Sequence, residues 1–257
     1  MNIEGKVAVV TGASRGVGRA TAIELARLGC RIVLNYRQSA DAAEEATEEV
    51  RSQGVAAMAF AADVSDDDAC REMAKAAAGE FGQIDILVNN AGTTRFIAHS
   101  DLEAVSSEDW RHIMDVNVLG PFQCTRALLP YLKAASTAEV VNVASVAGLN
   151  TPGSSIPYGA SKAALINMTV NLARALGPNI RVNAVAPGFI EGQWLRDGLG
   201  EHYETVKTAV EGKSALQRVN QPEDIAAAIV SLITGSDLVT GQTLVVDGGY
   251  TIGPRAS

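Results

Sequence analysis

Cysteine is scarce: Cys30, Cys70 and Cys124 are all that 257 residues contain. Their number is odd and they are scattered without metal-ligand spacing, which excludes a disulfide scaffold and a cysteine-held metal. They read as small core hydrophobes or surface thiols in a reducing compartment. Aromatic residues are only 5% of the chain, so Ala, Val, Ile and Leu supply the apolar bulk, as suits helices packed on a parallel sheet buried on both faces. Positive charge is also short, with 21 Lys and Arg against 29 Asp and Glu, a formal net charge of −8. Sequence-independent nucleic-acid binding rests on neutralising phosphates with basic residues, so no nucleic-acid partner is expected and any bound phosphate must be held locally. No apolar run approaches the roughly 20 residues of a membrane span. The opening Met1-Asn2-Ile3-Glu4-Gly5-Lys6 has no signal-peptide layout. These absences point to a cytoplasmic chain with no membrane partner.

What is present is a core-rich, alternating pattern. Hydrophobic residues make up 47% and charged residues 19%, so disorder is excluded. Short aliphatic runs predict strands at Val7–Val10, Ile32–Asn35, Val55–Phe60, Ile84–Val88, Val140–Val143, Ile180–Ala186 and Thr243–Val246. Helical stretches separate them: Gly16–Leu28 stopped at Gly29, Ala40–Gln53 stopped at Gly54, and Asp66–Phe81 with its acidic first turn. Further helices are predicted at Ser107–Ala134 capped by Ser106 or Ser107, Tyr158–Leu176, Glu201–Glu211 and Glu223–Ile233, while Pro187–Gly200 lacks strong periodicity. Strict alternation implies right-handed crossovers and one doubly wound parallel sheet with helices on both faces, a Rossmann-like α/β fold in a single domain. Ligands in such sheets bind beyond the carboxyl ends of the strands.

The segment after the first strand is Thr11-Gly12-Ala13-Ser14-Arg15-Gly16-Val17-Gly18. Glycines there let the backbone turn tightly and approach a pyrophosphate at a helix N-terminus, although a Gly-rich turn can also stand without a ligand. At the end of the second strand an acid would bind a ribose 2′-hydroxyl, but the chain has Asn35-Tyr36-Arg37. Arg37 and Arg15 are suited to clamping a 2′-phosphate, or are solvated surface charges. Asp63-Val64 follows the third strand, where Asp63 also suits a cap or turn, and Asn89-Asn90-Ala91-Gly92 follows the fourth. Ser145 closes the fifth strand, Tyr158 opens the next helix, and Lys162 stands four residues on, beside Tyr158 on the same face. Reducing a carbonyl requires a proton donor and hydrogen bonds for the developing alkoxide. A neighbouring ammonium would lower the phenol's pKa toward the neutral range. By spacing alone such a Tyr–Lys pair is more often packing plus a solvated charge.

In this order the motifs resemble those of the short-chain dehydrogenase/reductase family from Lys6 to about Gly249. Its signatures are Thr-Gly-x-x-x-Gly-x-Gly, Asn-Asn-Ala-Gly and Tyr-x-x-x-Lys, and its closest-looking members are the 3-oxoacyl-acyl-carrier-protein reductases. The resemblance implies an oxidoreductase that transfers a hydride between NADP(H) and a ketone or secondary alcohol. It makes Gly12, Ser14, Arg15, Gly16, Val17, Gly18, Asn35, Tyr36, Arg37, Asp63, Val64, Asn90, Ala91 and Gly92 cofactor contacts. Pro187, Gly188 and Ile190 match the turn at the nicotinamide, Ile190 through its backbone. Tyr158 becomes the acid/base, Ser145 its partner on the substrate oxygen, and Lys162 the holder of the nicotinamide ribose. Asn117 matches the fourth member, which positions a water linked to Lys162; it also suits a helix kink with Gly120-Pro121. One departure is Gly192, where the family usually has a Thr.

Thr94, Phe96, Ala147, Leu149, Ile156, Phe189, Trp194 and Leu195 are expected to line an apolar substrate pocket. The substrate is carried on an acyl carrier protein, for which Lys133 and Arg174 are thin basic support, or is a free ketone, sugar or other alcohol. Relatives suggest a homotetramer joined through two long helices and the last strand. A dinucleotide sensor without catalysis is the reading from another class, disfavoured by the presence of Tyr158 and Lys162.

Overall fold

Aliphatic runs with no polar alternation can be buried only between two layers of helices. The computed structural model, which describes residues 1–150 and 152–254, shows that arrangement. The strands are β1 (Val7–Val10), β2 (Arg31–Tyr36), β3 (Ala57–Ala61), β4 (Ile86–Asn89), β5 (Ala138–Val143), β6 (Ile180–Pro187) and β7 (Thr243–Val246). They form one sheet in the order β3-β2-β1-β4-β5-β6-β7, with every pairing parallel. Between them run α1 (Gly16–Arg27), α2 (Ala40–Arg51), α3 (Asp67–Phe81), α4 (Ser107–Met114), α5 (Gly120–Ala134), α6 (Ile156–Leu176), α7 (Gln193–Leu199), α8 (Tyr203–Lys213) and α9 (Pro222–Thr234).

Alternate strand residues feed two cores. Ala8, Val10, Ile86 and Val88 pack with Leu25 of α1, Val50 of α2 and Ile229 of α9. Val7, Val9, Leu87 and Val140 face the other way, onto Met73 of α3, Leu128 of α5 and Ala173 of α6. The doubly wound sheet expected from alternation is therefore the one observed. Strand order reverses between β1 and β4, so the loops leaving these two strands diverge and open a crevice between them. No helix of the described residues is long and apolar enough to cross a membrane.

Three sequence expectations need adjustment. The predicted Ser107–Ala134 helix is continuous between those bounds but not uniform: a π-helical turn, Asp115–Leu119, joins α4 to α5. Pro187–Gly200, which lacks strong periodicity, nonetheless holds α7; with two glycine caps and no buried residue, this helix leaves no periodic stripe to read. The helix after β5 starts earlier than the phenol: Ser155 caps α6 and accepts from the Tyr158 N–H at 3.4 Å, so Tyr158 is its third residue rather than its first.

Candidate active site

The crevice is built from side chains that tie the β1 and β4 loops together. Thr11 Oγ1 accepts the N–H groups of Asn90 and Ala91, each at 2.9 Å. Asn90 Nδ2 donates back to the Thr11 and Gly12 carbonyls at 2.8 and 3.0 Å. Gly18 lies directly under this knot, where a Cβ would fall 2.4 Å from the Gly12 oxygen and 2.5 Å from Asn90 Nδ2. Only glycine fits there, which is a physical reason for the spacing of the loop. Asn35 is buried behind the loop, with Oδ1 accepting from Gly12 N–H at 3.2 Å and Nδ2 donating to the Ala62 carbonyl at 2.9 Å. Its side chain thus braces the loop and is not on the loop's open side.

The N-terminus of α1 is left unfilled. Arg15 occupies the cap position without a side-chain cap bond, and the first turn has no acid. By contrast α3, α4 and α6 are capped by Asp66, Ser106 and Ser155. Free N–H groups beside a backbone that can be approached closely suit an anion. Ser14 is buried within this turn, Gly16 and Val17 open the helix, and Tyr36 ends β2. Arg37 lies 3.5 Å from Asp63. Partial burial of Asp63 works against its charge, but bonds from Ser65 and the Arg37 guanidinium hold its carboxyl below the ordinary range. Val64 is buried, packed so tightly on Gly120 that a Cβ there would meet its Cγ2 at 2.8 Å.

On the other side of the crevice, Ser145 stands two residues past the end of β5 rather than closing it, and caps a short turn through Ala147 N–H at 3.1 Å. Its hydroxyl donates to the Pro187 carbonyl at 3.5 Å and lies beside the Tyr158 phenol, whose pKa it lowers. Lys162 lies one helical turn on, with Nζ 5.7 Å from the centre of the Tyr158 ring, donating to the Val143 carbonyl at 2.8 Å. Both side chains are buried. Burial pushes the Tyr158 phenol up to about 12, and the Ser145 hydroxyl offsets only part of that. It also pulls the Lys162 ammonium down to about 8. The expected lowering of the phenol by its neighbour is thus reversed: desolvation outweighs it.

Asn117 sits in the π-helical turn, wholly buried. Nδ2 donates to the Thr93 carbonyl and Ser161 Oγ at 2.9 and 3.0 Å, and Oδ1 accepts from Thr93 N–H at 2.8 Å. A Cβ placed on Gly92 would lie 3.4 Å from Asn117 Oδ1 and 3.6 Å from Lys162 Nζ, so all three meet at one point, and Gly92 itself is exposed. Ser145, Tyr158, Lys162 and Asn117 are therefore brought together. A phenol beside a hydroxyl, backed by an ammonium, can hydrogen-bond a carbonyl oxygen and hand it a proton.

The β6 end completes the crevice. Pro187 ends the strand, and Gly188 packs on Asp247, where a Cβ would fall 2.8 Å from Asp247 Cβ. Ile190 pairs in parallel with Asn220, which exchanges bonds with Phe189 and Glu191 at 2.9 and 2.8 Å. Ile190's own N–H and C=O have no partner among the described residues, so they remain available to a ligand amide. Gly192, in place of the usual Thr, has φ +155°, a conformation closed to residues with a side chain.

Sequence reasoning gave Thr11 no role of its own within the glycine motif and passed over Ser155 and Ser161, since isolated hydroxyl residues carry no pattern until their partners are known. Of the residues expected to line the pocket, Trp194 packs edge-on to Tyr158 at 6.2 Å and Phe96 lies against Gly198. Leu149 and Ile156 are exposed.

A family model described as enoyl-(acyl carrier protein) reductase matches residues 12–251. A Streptomyces violaceoruber protein named as a ketoacyl reductase 2 of the granaticin polyketide synthase is 40% identical, over 96% of each chain. A Synechocystis 3-oxoacyl-[acyl-carrier-protein] reductase is 38% identical, covering 96% of this chain and 97% of that one. Among solved structures, an NAD+-bound xylitol dehydrogenase superposes with a TM-score of 0.89 at 31% identity, over 97% of this chain and 100% of its own. Together with the motifs now seen in one crevice, these similarities show that the chain belongs to the short-chain dehydrogenase/reductase family and is an oxidoreductase acting on CH–OH and keto groups.

Proposed function

We propose that this single domain reduces the 3-keto group of an acyl thioester held on an acyl carrier protein, using NADPH. The observation that carries the reading is the buried Tyr158 with the Ser145 hydroxyl beside it and the buried Lys162 ammonium 5.7 Å from its ring, next to the exposed Gly92. Tyr158 gives its proton to the carbonyl oxygen while Ser145 donates a hydrogen bond to it, so charge developing on that oxygen is met from two sides. Lys162 holds the nicotinamide ribose and favours the phenolate that is left. Asn117 keeps the widened turn in place beside Lys162, where a water would join the ammonium to solvent. Bound NADPH would supply the hydride. The glycine loop, the open α1 terminus and the unpartnered Ile190 peptide fit a dinucleotide, with Asp63, Val64, Asn90 and Ala91 beside its path.

Arg15 and Arg37 are the candidates for a 2′-phosphate, supported by the absence of an acid at the end of β2. The keto-reductase names of the 40% and 38% identical relatives favour the thioester. A free polyol or ketone is the competing substrate, favoured by the likeness to xylitol dehydrogenase. We propose further a cytoplasmic homotetramer joined through α5, α6 and β7, whose Leu244 and Val245 are 39% and 38% exposed on an edge strand.

Spectrophotometric turnover of NADPH and NADH with acetoacetyl thioesters, simple ketones and polyols tests this. The expected result is an NADPH preference and a higher kcat/KM for the thioesters. Removing both guanidiniums (Arg15→Ala with Arg37→Ala) should weaken NADPH about a hundredfold or more, at roughly 1.5–3 kcal/mol per charged hydrogen bond, and leave NADH unchanged. A wild type that prefers NADH, or turns over polyols alone, overturns the reading.

A further inference from the structure

Although α7 buries none of its residues, one of its faces is held against the site. Trp194 and Gly198 are four residues apart and share that face. Trp194 stands edge-on to the Tyr158 ring, with centroids 6.2 Å apart. Gly198 lies so close to Phe96 that a Cβ there would fall 2.0 Å from the ring. The backbone that carries Phe96 is tied to the segment leading into α6. The Thr94 and Ser154 hydroxyls are 2.6 Å apart, Ile97 N–H donates to the Ser154 carbonyl at 2.9 Å, and His99 Nε2 lies 3.1 Å from the Gly153 carbonyl. Gly153 in turn presses on the phenol, where a Cβ would meet Tyr158 Cδ1 at 2.9 Å. The Tyr158 ring therefore has Gly153 at one edge and Trp194 at another, and the Phe96 loop links the Gly153 segment to α7.

We propose that Gly198 and Phe96 form a specificity-determining contact: the Phe96 ring occupies the space a side chain at 198 would fill, so α7 lies flat over Tyr158 and admits carbonyl compounds unbranched beside the reacting carbon. The substrate class rests on the keto-reductase reading above; the contact itself does not. Bulk next to the carbonyl must lift α7 off Phe96. Gly192 and Gly200, at φ +155° and +53° with open space around each, bracket the helix and let it rise as a unit.

The test compares wild type, Phe96→Ala, Gly198→Ala and the double variant on acetoacetyl and 2-methylacetoacetyl thioesters. Phe96→Ala should raise kcat/KM for the branched relative to the straight substrate about tenfold, the scale of a methyl group in an apolar pocket. Gly198→Ala should raise KM for both about tenfold with kcat little changed, since its methyl collides with the ring and α7 cannot seat. The double variant should return to the Phe96→Ala values, a rescue that general damage would not give. In a Trp110→Phe background Trp194 is the sole indole, and Gly198→Ala should make its fluorescence more readily quenched by acrylamide. Wild-type KM and wild-type quenching in Gly198→Ala, or no rescue in the double variant, overturns the contact. If wild type turns over neither thioester, the keto-thioester reading fails; quenching, with butan-2-one against 3-methylbutan-2-one, then decides the contact alone.

Discussion

The two ends of the sheet handle polar groups in opposite ways. At the amino ends of the strands, buried charges are matched within the chain. Lys6 Nζ meets Asp85 at 2.9 Å. Arg181 of β6 lies 2.9 Å from Glu139 of β5 and donates to the carbonyls of Val239, Leu232 and Ile233, closing the C-terminus of α9. At the carboxyl ends, groups are buried but left with capacity. Lys162 has a carbonyl and no carboxylate, Ile190 has an unpartnered peptide among the described residues, and α1 begins without a cap. The difference teaches that one end is arranged for stability and the other for a ligand, so variants at the two ends should separate stability from activity.

The largest effect belongs to the ligand end. Tyr158→Phe removes the proton donor and should lower kcat about a thousandfold, the usual scale for a positioned acid. The buried ring remains, so the thermal midpoint should hold or rise. A Tyr158→Phe enzyme that reduces the same carbonyl at wild-type rate would break the comparison. At the other end, Arg181→Met strips Glu139 of its cation and α9 of its cap. About 3 kcal/mol of unfolding free energy should be lost in a urea titration, with kcat per folded molecule unchanged. If stability holds and kcat falls, the division of labour is wrong.

The smallest effects are slopes with pH, and they should run in opposite directions. Burial, against the pull of Arg181, pushes the Glu139 carboxyl up to about 8. Between its ordinary 4.5 and about 8 the folded chain holds more protons than the unfolded one, so stability falls as pH rises through that window. Glu139→Gln should flatten the slope. Lys162 is depressed to about 8 from 10.5, so there the unfolded chain holds more protons and stability rises with pH between those values. Carbonyl reduction should fade above about pH 8 as Lys162 loses its charge, and Lys162→Arg should carry that limb to higher pH. Urea titrations from pH 5 to 10 on wild type, Glu139→Gln and Lys162→Met, together with rate profiles, read all of these; a wild-type slope that neither variant changes would contradict the assignment.

The alternation of strands and helices was legible in the sequence because aliphatic runs and helical periodicity report burial directly, although β3 and β4 begin two residues later than Val55 and Ile84. Val7–Val10 and Thr243–Val246 were read to the residue. The crevice was legible because its backbone demands leave glycines at fixed spacing, as Gly18 under Asn90 shows. What was hidden depends on distant pairs. α7 is held by Trp194 on Tyr158 and Phe96 on Gly198, partners 36 and 102 positions apart in sequence. The tyrosine's raised pKa was missed because spacing reveals the neighbouring ammonium but not how completely both groups leave water.

The widened turn at Asp115–Leu119 has a consequence for phase. One surplus residue in a helix advances every later side chain by about 100° around the axis. α4 can thus turn the buried Ile113 inward while α5, continuing the same rod, presents Leu128 and Leu132 to α3 and the sheet. Deleting a single residue between 115 and 119 would make the rod regular and rotate one half against the other. The surplus residue is what lets one continuous helix serve the reacting groups at one end and the core at the other.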